Sequence, residues 1–216
     1  PIGSGRYRYK STRNGPVLAA NVTADFNPHI TTIHLVNIAA ADSIDNAVNI
    51  GNITYAYRDL SENSAKRMTA TKKQINQNNL VYIGFNNRSG AFANAHLRKA
   101  VSLAVDRNAL AKSAYAGYAT AARSVYNPAF GLAASTGLFA EAADTAAAKQ
   151  QIALSKVSDS ALKITLLVNK NDNRLAAANQ IKTALEAAGF TVQLQVSKFS
   201  DYKARIKNLN YDLYIG

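Results

Sequence analysis

An α/β fold, with a mixed sheet flanked by helices and a parallel βαβαβ unit at its C-terminal end, is what this sequence predicts. Three patterns predict it. The first is the order of periodicities after residue 162. An apolar run over 162–168 is followed by Leu175, Ala178, Ile181, Leu185 and Ala188 at helical spacing, and then by Thr191, Gln193 and Gln195 alternating with apolar neighbours. The second is that this order repeats, with a short helix over 202–209 leading into a strand over 211–215, and strands joined by helices form parallel sheets. The third is composition. With 216 residues, 48% hydrophobic and 18% charged, the chain has enough material for a buried core and lacks the marks of disorder.

The elements follow in order. Arg6-Tyr7-Arg8-Tyr9-Lys10 has the two-residue period of a strand. Asn14-Gly15-Pro16 marks a turn. A second strand is expected over 30–38, where β-branched residues dominate. Asp42 is the expected N-cap of a short helix carrying Ile44, Ala47 and Val48, closed by Gly51. A strand over 52–57, an exposed helix over 62–70 and a strand over 80–85 come next. Asn94 caps a helix with Leu97, Ala100, Val101, Ala104 and Val105 on one side, and Asp106 caps another that ends before Gly117. Residues 126–138 read as a loop, and a helix follows over 144–157. Gly189 stops the helix over 174–188.

Several function classes are excluded by what is missing. There is no cysteine, hence no disulfide, thiolate metal site or thiol nucleophile. No run of eighteen apolar residues spans a membrane. Gly3-Ser4-Gly5 does not continue as a dinucleotide loop, because position 8 is Arg and no helix opens there. His29, His34 and His96 lack ligand spacing, and the thirteen carboxylates form no pair that the sequence places face to face. The chain is therefore read as one that holds something, not as an enzyme, and no cofactor or metal is expected. The net charge of +12 leaves open an alternative, a basic nucleic-acid-binding domain. Against it, the basic residues are spread over four places, 6–13, 66–73, 98–107 and 198–207, each of which also needs a solvated face. Pro1 at one end and a strand interrupted at Gly216 suggest a segment of something longer.

Three segments together resemble the peptide class of bacterial ABC-importer solute-binding proteins, which includes oligopeptide, dipeptide and nickel binders. Pro1-Ile2-Gly3-Ser4-Gly5-Arg6-Tyr7 is similar to the family's entry strand. Val81-Tyr82-Ile83-Gly84-Phe85-Asn86-Asn87, then Phe92, Leu97-Arg98-Lys99-Ala100-Val101 and Ala104-Val105-Asp106-Arg107, resembles its most specific signature in the right order. The third is the βαβ stretch with Ala187-Ala188-Gly189-Phe190, Tyr202 and Tyr211-Asp212. The resemblance implies a periplasmic-binding-protein-like lobe, with residues 1–216 as the inserted C-terminal lobe of a two-lobed clamp and hinge strands at 1–10 and 211–216, so that the two ends lie close together. It also implies the partners: a peptide or another small solute, the missing N-terminal lobe, and a membrane permease, with nucleic acid not expected. The implied location is extracellular or periplasmic, with a lipoprotein anchor. Ligand contacts implied by the family are Tyr57, Arg58 and Asp59 after the 53–57 strand, Arg174 near a helix start, where its planar fork suits a peptide carboxylate, and Tyr126 and Asn127 in the long loop. Asp106 and Arg107 are read as capping and surface-pairing residues, without a catalytic role.

Overall fold

In the computed structural model, which describes residues 5–23, 25–59, 68–75, 77–127 and 139–216, the Arg-Tyr alternation forms strand β1 (Tyr7–Thr12). The chain divides into two units, Pro1–Arg58 with Ser64–Lys72, and Asp59–Asn63 with Lys73–Gly216.

In the first unit, β1 pairs antiparallel with β2 (Gly15–Ala20), which pairs antiparallel with β3 (Thr32–His34). The turn between β1 and β2 is tight, and Gly15 meets its left-handed φ of 106° without a Cβ penalty. Register sets two faces. Tyr9, Leu18 and Ile33 form one cross-strand row, and Lys10, Val17 and His34 form a row on the opposite face. Helix α1 (Ala41–Asn49) follows Ala40, which offers no side-chain cap.

Four expectations are corrected in this unit. Strand β2 starts on Gly15 and Pro16 of the expected turn and runs on through Ala20, where no strand is expected. The strand expected over 30–38 is reduced to three residues. Its ladder stops once the Leu35 amide has reached the Pro16 carbonyl, because β2 begins at Gly15 and offers no partner beyond it. Asp42 lies inside α1, so it is not the cap. No strand forms over 52–57, where the Ile53 amide bonds back to the Ala47 carbonyl at the end of α1 instead of to a neighbouring strand. Of the helix expected over 62–70, residues 62–67 lie outside the described residues and 68–70 are not helical. Most of the 126–138 loop, residues 128–138, also lies outside them, as do residues 1–4 of the entry strand.

The second unit is an open sheet in the order β4-β7-β5-β6, built from β4 (Ile83–Phe85), β5 (Lys163–Asn169), β6 (Thr191–Ser197) and β7 (Leu213–Ile215). β5 runs parallel to both β6 and β7, while β4 is antiparallel to β7. The βαβαβ expectation is met: α5 (Asp172–Ala188) joins β5 to β6, and α6 (Phe199–Lys207) joins β6 to β7. Before them come α2 (Ala95–Ala104), α3 (Arg107–Ser113) and α4 (Thr145–Ser155). The helix starts are where cap chemistry places them. Asn94, Asp106, Asp144 and Asn171 each accept a backbone N–H of the first turn. Gly189 ends α5 at φ 118°. One core joins Leu97 and Val101 of α2, Ile181 and Leu185 of α5, and Ile164, Leu166 and Val168 of β5. Ala100, Ala104 and Ala148 are buried where α2 and α4 meet, and their small side chains allow the close approach.

Candidate ligand-binding site

Because β5, β6 and β7 are parallel, their C-terminal residues Asn169, Ser197 and Ile215 end on one edge of the sheet. The antiparallel β4 starts at that same edge, bringing Tyr82 to it. In open α/β sheets, ligands bind outside the carboxyl ends of the strands, since the following loops and helix starts point their donors there.

Arg174 occupies this edge. It sits in the first turn of α5, and its amide donates to the Asn171 cap oxygen at 3.1 Å. One guanidinium nitrogen, Nη1, donates to Asn169 Oδ1 at 2.9 Å, which aims the half-buried fork along the end of β5. Among the described residues no carboxylate pairs with it. Two phenols lie within reach of its charge. Burial pushes the Tyr115 and Tyr202 hydroxyls up, and the positive charge of Arg174 pulls both back down. The Tyr202 hydroxyl donates to the Ile215 carbonyl at the end of β7. The Tyr115 hydroxyl is buried and finds no partner among the described residues.

Beside them the sheet carries a fixed aromatic pair. Tyr214 faces Gly84 across the β4–β7 ladder, and Tyr82 exchanges both backbone hydrogen bonds with Gly216. Each ring lies over the opposing glycine: a Cβ at Gly84 would fall 2.1 Å from the Tyr214 ring, and one at Gly216 would fall 2.5 Å from the Tyr82 ring. The two rings meet edge to face at 5.8 Å, with their hydroxyls 3.3 Å apart. Tyr211 and Tyr202 also pack against Tyr214, and Phe199 stacks on Tyr202. The edge thus presents a guanidinium with unused donors next to rigid, amphipathic rings. That combination is chemically suited to pairing with a carboxylate and to resting against adjoining apolar surface.

The other expected contacts are placed as follows. Tyr57 is 60% exposed in the first unit. The Arg58 side chain is only 11% exposed and reaches the buried Asp45 carboxylate at 3.8 Å. Asp59 is exposed at the unit boundary. Tyr126 is 57% exposed, with its amide on Ser124 Oγ, and Asn127 Nδ2 donates to Asn78 Oδ1 at 2.8 Å. Of the six, Arg174 stands at the carboxyl edge. Sequence reasoning missed Tyr82, Tyr214, Tyr115 and Tyr202 as site residues. The matched spacings Tyr82-Ile83-Gly84 and Tyr214-Ile215-Gly216 were a usable signal for the first two, and nothing in the sequence marks Tyr115.

The signature residues hold the fold. Asn86 Nδ2 reaches the Leu209 and Tyr211 carbonyls, both at 3.3 Å, and ties the entry of β7 to the exit of β4. Arg98 closes the turn before α2 through the Phe92 and Ala93 carbonyls. Arg107 binds Ser102, Val105 and Ala140 carbonyls and lies over the Phe139 ring. Asp106 caps α3 through the Ala109 amide. Two surface depressions, of about 430 and 240 Å³, lie away from the carboxyl edge, one beside Gly90 and Asn94 and the other beside Asn86 and Thr165. Their polar groups already serve the protein, as with the Thr165 amide on Asp212 Oδ2, so neither is the better candidate.

Comparison with known proteins agrees with this architecture. The family model for bacterial extracellular solute-binding proteins, family 5 (middle), matches residues 1–216. The ABC transporter substrate-binding protein CtaP of Listeria monocytogenes is similar at 22% identity with a TM-score of 0.82, over 100% of this chain and 46% of its own. A putative peptide-binding protein, AppA, of Clostridium difficile is similar at 23% identity and a TM-score of 0.81, over 100% and 47%. NikA of Brucella suis, solved with Fe(III)-EDTA, is similar at 19% identity and 0.76, over 100% and 48%. The chain therefore spans about half the length of these proteins and shares their periplasmic-binding-protein-like fold. No curated protein matches the sequence.

Proposed function

The chain belongs to family 5 of the bacterial extracellular solute-binding proteins, and from that premise we propose that it forms one wall of the ligand cleft of an ABC importer's peptide-binding protein. The carboxyl edge of the second unit's sheet is that wall. An opposing lobe of the same protein closes over it, and the loaded protein delivers its solute to a membrane permease from an extracellular, lipid-anchored position. No chemical step is involved; the work is selective, reversible holding.

Arg174 is the observation that carries the reading. A guanidinium held by Asn169 Oδ1, on a residue whose backbone amide is capped by Asn171, with no carboxylate partner among the described residues, is suited to a bidentate pair with a peptide's terminal carboxylate. The aromatic pair and Phe199 supply the amphipathic surface on which side chains of many kinds rest. Tyr57, Arg58, Asp59, Tyr126 and Asn127 are proposed as further contacts, with Arg58 acting through its pair with Asp45 to order the segment around it.

Calorimetric titration of the gene-encoded protein with a tripeptide and with its C-terminal amide tests the assignment. A charge-assisted hydrogen bond contributes about 1.5–3 kcal/mol, so Arg174→Ala weakens binding of the acid about 10- to 100-fold and leaves acid and amide nearly equal. An unchanged preference for the acid in that variant overturns the role of Arg174.

A further inference from the structure

Arg174 accounts for the carboxylate end of a peptide, and the rings beside it carry a second, separable preference. Tyr202 links the two. Its hydroxyl lies within reach of the Arg174 charge, and its ring packs on Phe199 at 6.2 Å and on Tyr214 at 6.4 Å between centroids. Tyr214 in turn meets Tyr82 at 5.8 Å. Both ends of this row keep open ring surface, with Phe199 57% and Tyr82 47% exposed. Rings held by packed neighbours offer a large apolar surface that loses little conformational freedom when a ligand covers it.

Exposed rings of this kind accept either a cation or another aromatic ring. Charge decides between them. Lys203 Nζ already lies 4.9 Å from the Phe199 centroid, and Arg174, near Tyr202, has no carboxylate partner among the described residues. A cationic solute side chain therefore meets like charge here. An aliphatic side chain gains burial alone, whereas an aromatic one adds the edge-to-face contact that Tyr82, Tyr202 and Tyr214 already make with one another. A residue of extended chain advances about 3.3–3.6 Å. The steps of 6.2 and 6.4 Å from Tyr202 thus match the last two residues of a peptide whose carboxylate rests on Arg174. We propose that this row is a specificity site for an aromatic side chain on one of those two residues, contacted by Tyr82 and Phe199. The proposal rests on the reading of the carboxyl edge as the peptide-binding wall; side chains of other kinds rest there more weakly.

Calorimetric titration of the gene-encoded protein with the tripeptides Ala-Phe-Ala and Ala-Ala-Phe tests it. Each is compared with a counterpart in which cyclohexylalanine, apolar and of similar size but without a π-system, replaces Phe. At least one aromatic peptide binds about 2- to 12-fold tighter than its counterpart. That ratio falls in Tyr82→Leu, in Phe199→Leu or in both, while the cyclohexylalanine peptide keeps its affinity and so reports a folded variant. Equal affinities for both pairs in the unaltered protein overturn the proposal and leave the peptide-binding wall standing. A ratio that neither variant lowers also overturns it, since the preference then comes from elsewhere. Binding of none of the four peptides removes the peptide reading itself, and the specificity site with it.

Discussion

Two glycines set the geometry of the carboxyl edge, each by yielding its side-chain space to a tyrosine ring. At Gly84 the ring of Tyr214 lies where a Cβ would be, so Gly84→Ala forces the ring off its seat. Overpacking of this kind costs about 1–3 kcal/mol, read as a lower urea midpoint with an unchanged slope. In a Tyr214→Ala background the same change costs much less, because the clash is gone. The paired hydroxyls give a second test. The hydrogen bond with Tyr82, then burial and the neighbouring phenols, hold the Tyr214 proton above the ordinary phenol range. A native pKa raised above the unfolded value means that the folded chain keeps a proton that the unfolded chain loses above about pH 10. Stability is therefore full below that pH and falls as pH rises beyond it. Tyr82→Phe removes the largest cause, so Tyr214 titrates earlier by absorbance at about 295 nm and the alkaline fall becomes shallower. At this scale the sequence was only partly legible. Arg174 was visible through its place before a helical stripe in a familiar pattern, whereas Tyr115 and Tyr202 matter because the fold brings them near its charge.

Helices proved easier to read than strands, and the reason is local chemistry. Asn94, Asp106, Asp144 and Gly189 act within a few residues of themselves, so their meaning survives in any tertiary setting. Asn94 does more than cap, since its Nδ2 also donates to the Ser155 carbonyl at the end of α4. Asn94→Ala should thus lower stability by about 1–2 kcal/mol, and Asn94→Asp, which keeps the acceptor and loses the donor, by less. A thermal melt of the two variants separates cap from tie, and equal losses would deny the cap its share. A strand depends on a partner that the sequence does not name. The apolar run over 30–38 has the right composition but only a short partner in β2, and 52–57 is tied to the end of α1 instead. β5 and β6 were legible because each is seven residues long and supported by α5 between them.

As a whole, the molecule pairs a second unit that buries its own core with a first unit that does not. This asymmetry explains why the C-terminal βαβαβ unit could be read from periodicity, while in the first unit only β1 and α1 could: pattern reasoning presumes that apolar residues are buried by their own neighbours. It also bears on affinity. An open edge makes contacts on one side of a solute, so the 216-residue chain alone should bind a tripeptide with millimolar affinity, against micromolar for a closed two-walled site, a difference of about 4 kcal/mol. Micromolar binding by the chain alone, seen by calorimetry, would show that it needs no second wall. The most direct test of the central claim is hydrogen exchange of the gene-encoded protein with and without a saturating tripeptide. The account predicts slowed exchange in residues 169–175, 197–202 and 215–216, the segments that end β5, β6 and β7. Protection confined instead to the cleft beside Gly90, Asn94 and Asp212, with the carboxyl edge unchanged, would contradict it.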